Sequence, residues 1–349
     1  MMATPLKTVL VGYGSVAEKM HGPLIEVCEG LSLHAIVERS GDRCLEKFPN
    51  VKVLKSFEAA LSDPSIQLVV ITTPNEFHFP MAKAALEAGK HVVVDKPVTV
   101  QSVEAEQLKK LADEKGLICS VFQNRRFDGD FMTIQEIIQK DLLGELVYLE
   151  SHFDRFRPEL RENWRDEDVP GNGVTFDLGT HLIDQVVLQF GAPEFIQADI
   201  RKQRTHTIAD DYFDITLDYG YFKARVTAGV LVNAPTPKFL LLGKKGSYQK
   251  FGLDVQEAAF KANEKPEGED WGVESMDRFG TLYLEDHSRP YPTVPGDYRI
   301  FYNNIADAIH SGAELKVKMN QGIQVLKIIE ASFESSQGKR SISRAEGQW

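Results

Sequence analysis

The stretch "VLVGYGSVAEKM", residues 9–20, decides the fold. An apolar run stops at Gly12, passes through Gly12-x-Gly14-x-x-Ala17, and continues into residues that suit a helix. The first glycine permits a tight turn, the second lets a backbone approach a pyrophosphate, and the small third residue allows close helix packing. The helix N-terminus then faces the phosphates. Alone the pattern is weak, but here it opens the first strand–turn–helix unit, and a second apolar run, "LSLHAIVER", ends in the acid Glu38 about twenty residues on.

Working outward, "IQLVVITTP", "KHVVVDKP" and "GLICSVFQN" supply further continuous Val/Ile/Leu runs, the mark of strands buried on both faces of a parallel sheet. Between them, Phe77, Met81, Ala84, Ala85 and Ala88 recur at helical spacing and stop at Gly89. A second helix, expected to start at a Ser102 cap and end at Gly116, buries Leu108, Leu111 and Ala112. Strands alternating with helices of this length predict a doubly wound α/β domain over residues 1–122. The remainder, 123–349, reads differently. "ELVYLESHFDRF" alternates like a two-faced strand. "DYFDITLDYGYFKARVTAGVLV" suggests two antiparallel strands turning near Gly220, and "KFLLLGKKGSYQKFG" two more around Lys245-Gly246. Helices are expected near 174–190, 299–311 and 321–336, and 261–298 reads as a long surface excursion. This is an α+β domain on an open, mostly antiparallel sheet, and the sequence contains no internal repeats.

A chain of 349 residues has room for two cores, and 42% hydrophobic with 26% charged residues is ordinary for a globular protein. A net charge of -11 argues against a nucleic-acid partner, which calls for a concentrated basic surface. No apolar run approaches the roughly 20 residues of a membrane-spanning helix. The N-terminus enters a strand with no cleavable leader, and Cys28, Cys44 and Cys119 lack disulfide or zinc spacing. The expectation is a cytoplasmic protein with reduced thiols, no membrane association and no metal.

Ligands of a doubly wound sheet sit beyond the carboxyl ends of its strands. The turn Gly12, Tyr13, Gly14, Ser15, Val16 and Ala17 therefore forms one wall of a nucleotide site. Glu38 would accept the ribose hydroxyls of NAD, whereas Arg39 would stack on adenine or pair with the 2′-phosphate of NADP; the two pull in opposite directions. Thr72, Thr73, Pro74 and Asn75 border the same crevice, with His78 one turn into the next helix. Asp95 and Lys96 end the following strand, and Pro97 biases Lys96 towards an extended backbone. Some eighty residues on, "GNGVTFDLGTHLIDQVV" carries Asp177 and His181 four apart, on one face if helical. A carboxylate orienting an imidazole suits a general base. His181 and Asp184 are three apart but have no further ligand at metal-site spacing.

A dinucleotide fold, a strand-end Asp-Lys-Pro and a Gly-x-x-x-Asp-x-x-x-His in a sheet-based second domain together resemble the glucose-fructose oxidoreductase/inositol dehydrogenase (Gfo/Idh/MocA) family over essentially the whole chain. Asp95 stands where that family usually has Glu. "HGPL", "FQNRRFD", "ESHFDRFRPE", "NWR" and "LGTHLIDQ" look like its NADP-dependent scyllo-inositol dehydrogenase-like members. The resemblance implies Lys96, His181 and Asp177 around the reacting carbon, with His181 as base and Lys96 hydrogen-bonded to the same oxygen. It implies Asn124 and Arg126 bordering the site, and Arg155, Arg157, Trp164 and Arg165 shaping its substrate end. It also implies a sugar or cyclitol substrate, NADP(H) favoured with NAD(H) admitted by Glu38, and a homodimer or homotetramer through the second-domain sheet. Alternatives are a reductase or dehydrogenase of other carbonyls or dihydrodiols, or a regulatory protein that binds nucleotide without catalysis.

Overall fold

The structure, a computed structural model, describes residues 4–160 and 169–349. They form two compact units that are not consecutive in sequence. The first comprises Met1–Asn124, Gln256–Trp271 and Asp297–Ile323, and the second Arg125–Val255, Gly272–Gly296 and Gln324–Trp349.

In the first unit, β1 (Leu6–Val11), β2 (Leu31–Val37), β3 (Lys52–Leu54), β4 (Leu68–Ile71), β5 (His91–Val94) and β6 (Cys119–Val121) pair in parallel in the order β3-β2-β1-β4-β5-β6. This is the doubly wound order, whose direction reverses between β1 and β4, so the ligand crevice lies beyond the ends of those two strands. All four residues of β4 are buried, as a strand covered on both faces requires. The three-residue edge strand β3 gave no legible apolar run. The helix His78–Glu87 buries His78, Ala82, Ala85 and Leu86, while Phe77 stays exposed. Its inner face is thus rotated from the Phe77-Met81-Ala88 stripe read from spacing, because His78 bonds inward to backbone. In the helix Ser102–Lys115 the cap is Gln101 rather than Ser102, and its N–H is taken by Glu104 at 3.3 Å.

The returning segments belong to this unit's core. Gln256 accepts hydrogen bonds from the Trp271 indole at 2.9 Å and the Tyr298 amide at 2.8 Å, and Phe260 packs between those two rings. The helix Arg299–Ser311 lies on the helix Gly22–Val27. A side chain at Gly30 would run into Ala306, so glycine permits that approach.

The second unit is a nine-stranded sheet of β7 (Leu146–His152), β8 (Phe195–Arg201), β9 (Tyr212–Asp218), β10 (Lys223–Gly229), β11 (Phe239–Gly243), β12 (Gly246–Lys250), β13 (Gly280–Leu284), β14 (Ser288–Tyr291) and β15 (Ile342–Ser343). Its order is β14-β13-β12-β11-β7-β10-β9-β8-β15, antiparallel except between β7 and β10. Leu149, Ile215, Leu217, Ala224, Val226, Leu241 and Tyr248 point to one face, where they join Phe131, Ile134 and Ile137 of one helix and Leu182, Ile183 and Val186 of another. Residues 261–298 are no surface excursion throughout. Gly280–Leu284 and Ser288–Tyr291 extend the sheet as β13 and β14, their short alternation masked by flanking Pro, Gly and charge.

Candidate active site

The glycine turn has the geometry its spacing predicts. Gly12 has φ of +91°, and a Cβ there would stand 3.3 Å from the Thr72 carbonyl oxygen. Gly14 has open space where a Cβ would be, and Ala17 is fully buried. The Thr72 hydroxyl donates to the Val11 carbonyl at 3.0 Å, tying the β4 end to the β1 end. The cradle that a side chain at Gly14 would fill fits a nicotinamide dinucleotide.

At the end of β2, Glu38 has a protein partner of its own. Its carboxylate accepts the Cys44 N–H at 3.0 Å, capping the short helix Cys44–Lys47. Burial opposes ionisation there, but the Cys44 hydrogen bonds and the Arg43 charge hold the carboxyl below its usual range. Arg39 is exposed. Arg43, which spacing did not single out, donates to the Tyr13 carbonyl at 2.7 Å and lies 5.2 Å over the Tyr13 ring. It brings a cation to the glycine turn.

Thr73 donates to the Met81 sulfur at 3.7 Å, and Pro74 and Asn75 enter a single 3₁₀ turn. His78 is 1% exposed, with one ring nitrogen 2.7 Å from the Pro97 carbonyl and the other 2.8 Å from that of Thr73. Its ring has no open edge for a nucleotide; it joins the turns that follow β4 and β5. Burial pushes its pKa down.

Beyond β5, the Lys96 amide donates to the Asp95 carboxylate at 2.9 Å, and the Lys96–Pro97 peptide is cis. Asp95 Oδ1 lies 3.7 Å from Nε2 of His21, a residue that composition and spacing passed over. Burial raises the Asp95 pKa, yet His21, the Lys96 ammonium and His78 outweigh it and hold the carboxyl below its usual range. Asn124 is buried, its amide directed at the Met20 sulfur at 3.8 Å.

In the second unit, Asp177 lies in the π-helical turn Thr175–Gly179, and His181 in the first turn of the helix Thr180–Phe190. Such turns recur at functional sites because they displace one residue from regular winding. Asp210 anchors this turn, accepting from the Thr175 amide and hydroxyl at 2.7 Å each. Burial raises its pKa despite these bonds. Asp177 pairs with Arg155 at 3.6 Å, and the Arg155 guanidinium lies 5.0 Å over the Phe153 ring. His181 is 6% exposed.

Arg126, read as a substrate contact, is bound bidentately to Asp184 at 2.7 and 2.5 Å, with side chains only 3% and 2% exposed. Its guanidinium is committed within the fold. The next side chain, Gln185, donates to the Arg125 carbonyl at 2.7 Å. The Arg157 amide donates to the Val230 carbonyl at 2.7 Å. Trp164 and Arg165 lie outside the described residues. No metal-binding cluster of His, Cys, Asp or Glu occurs among the described residues, and no helix there is long and apolar enough to cross a membrane.

Residues 6–123 match a family model described as an oxidoreductase family, NAD-binding Rossmann fold, and residues 135–343 its C-terminal alpha/beta domain. The chain is 38% identical over 341 residues to a scyllo-inositol 2-dehydrogenase (NADP(+)) of Bacillus subtilis, covering 97% of this chain and 95% of that protein. It is 40% identical over 347 residues to the uncharacterized oxidoreductase YdgJ of Escherichia coli, covering 99% and 100%. Among solved structures, the putative oxidoreductase yvaA from Bacillus subtilis superposes with a TM-score of 0.95 at 37% identity, covering 98% of this chain and 99% of that one. With both halves matched in sequence, and the glycine turn and strand-end lysine where such a fold keeps its chemistry, the chain belongs to the Gfo/Idh/MocA oxidoreductase family.

Proposed function

We propose that this oxidoreductase transfers a hydride between NADP(H) and a CH–OH carbon of a sugar or cyclitol. The observation that carries the reading is the strand-end Lys96, held by its own amide on an ionised carboxylate beyond a dinucleotide-fitting glycine turn. The dehydrogenase named for scyllo-inositol, and a D-glucoside 3-dehydrogenase of Escherichia coli 26% identical over 199 residues, support the substrate class.

In this reading a bound nicotinamide supplies the hydride acceptor, and the chain handles the proton. His181 takes the hydroxyl proton as the C–H bond breaks, so the alcohol loses one proton and one hydride and becomes a carbonyl. Lys96 donates a hydrogen bond to the same oxygen and stabilises the negative charge developing there. Asp177, which pairs with Arg155, would orient the neutral imidazole and stabilise the imidazolium that forms as it takes the proton.

NADP(H) is favoured because one Glu38 oxygen is taken by the Cys44 amide, while the exposed Arg39 and the Arg43 held on the glycine turn would supply cations to a 2′-phosphate. A homodimer or homotetramer would use the half-exposed face of the nine-stranded sheet; light scattering on the purified chain tests that. The deciding experiment for the function is a steady-state screen of sugars, cyclitols and small carbonyls with both nucleotides. Turnover of a cyclitol or sugar with NADP supports the reading. No turnover anywhere, with nucleotide binding retained, favours a regulatory role.

A further inference from the structure

Behind Asp95 lies a chain of polar groups that packing alone does not explain. His21 and Tyr302 are both 0% exposed. His21 closes the π-helical turn Ala17–His21 that follows the glycine turn, and Tyr302 is carried in by the helix Arg299–Ser311. The Tyr302 hydroxyl is 2.6 Å from His21 Nδ1, and His21 Nε2 is 3.7 Å from Asp95 Oδ1. The same Oδ1 accepts the Lys96 amide at 2.9 Å. Phe122 closes over the imidazole with ring centroids 4.2 Å apart. A Leu–Phe pair would fill this space without the cost of desolvating an imidazole and a phenol.

The proton positions follow from chemistry. A carboxylate only accepts, and its charge favours hydrogen on the nitrogen that faces it, Nε2, which has no partner at hydrogen-bond distance among the described residues. Nδ1 then has its lone pair outward, and the short contact to Tyr302 must be the phenol O–H donating. The phenol then donates to the imidazole, and the imidazole N–H is turned toward Asp95. The last link, at 3.7 Å, is an electrostatic contact longer than a hydrogen bond.

We propose that His21 and Tyr302 are positioning residues, a one-directional relay that holds the Asp95 carboxylate in place so that it fixes the backbone amide, and thus the aim, of Lys96. The inference rests on the catalytic reading of Lys96 given above. The titratable groups facing the relay are Asp95, Lys96, His78 and Cys28. Asp95 is the one through which it acts.

The first test is nitrogen NMR of His21 in the unmodified full-length protein without nucleotide. The expected result is hydrogen on Nε2 and a bare Nδ1; hydrogen on Nδ1 overturns the relay. The second is Tyr302→Phe, which removes only the hydroxyl. It should raise the Asp95 titration midpoint followed by carboxyl carbon NMR, move the acidic limb of the kcat profile to higher pH, and lower kcat by about threefold to tenfold, the scale of one hydrogen bond. Nucleotide Kd should hold within about twofold. An unchanged Asp95 midpoint and pH profile overturn the proposal, and a variant that fails to fold leaves the His21 measurement to decide. Full activity in Lys96→Ala would sink the catalytic reading while leaving both NMR results intact, so the two failures are separable.

Discussion

Replacing Asp184 by Ala should destabilise the second unit more than any exposed substitution. The variant leaves the Arg126 guanidinium, 3% exposed, without the two oxygens that now meet it at 2.7 and 2.5 Å. Breaking a buried ion pair by deleting one partner costs about 3–5 kcal/mol, because an uncompensated charge stays inside. Against a domain stability of roughly 5–15 kcal/mol this is a large fraction, and it corresponds to a fall in Tm of about 6 to 20 °C for a unit of this size. Calorimetry on the whole chain reads it, with the two units allowed separate transitions. The double variant Arg126→Met with Asp184→Leu removes both charges and should recover most of the loss. Loss of under about 1 kcal/mol in Asp184→Ala, or no recovery in the double variant, would refute the assignment of Arg126 to the fold and return it to the substrate.

The remaining expectations concern chemistry, nucleotide and pH. Lys96→Ala and His181→Ala should each lower turnover by at least about a hundredfold, the scale of general acid–base and electrostatic groups, with nucleotide Kd little changed; near-full turnover removes the residue from the mechanism. Arg43→Ala should weaken NADP(H) about tenfold, the worth of one charge-assisted hydrogen bond, and leave NAD(H) alone. Equal losses by titration calorimetry would mean that Arg43 serves only Tyr13. His152 sits between Glu150 at 2.9 Å and Asp154 at 2.8 Å. Burial lowers its pKa, but the two carboxylates raise it further, for a net rise. Its stabilisation is therefore fully present below about pH 6.5 and lost as pH rises through the folded value. The Tm gap between wild type and His152→Gln should close on the alkaline side, and a gap constant with pH contradicts the pairing.

What was legible in the sequence is what periodicity and backbone conformation encode. Gly12, Gly89, Gly116 and Gly220 all take positive φ where a turn or helix end was read from them. The Val/Ile runs became β1, β2, β4, β5 and β6 because strands covered on both faces admit little else. The illegible parts share a different cause, long-range partners. Arg126 looks like a substrate arginine until Asp184, 58 residues away, accepts it. His21 and Tyr302 are 281 residues apart, and no local pattern joins them. The return of residues 256–271 and 297–323 to the first unit was hidden for the same reason.

These long-range partners also bear on why the fold keeps expensive groups inside. Within the first unit, Lys96 is backed by Asp95, His21 and Tyr302. Within the second, the helix carrying His181 also carries Asp184 and Gln185, which bond Arg126 and the Arg125 backbone. Well-packed apolar residues in either place would be as stable or more so. An apolar pair could slide or repack, whereas a bidentate ion pair and a directed donor chain each admit one arrangement. Proton transfer is sensitive to ångström-scale misplacement, so a fold that gives up stability beneath both candidate groups is spending it on aim. On this argument, restoring stability with apolar substitutions at Asp184 and Arg126 should leave the fold intact and still lower kcat.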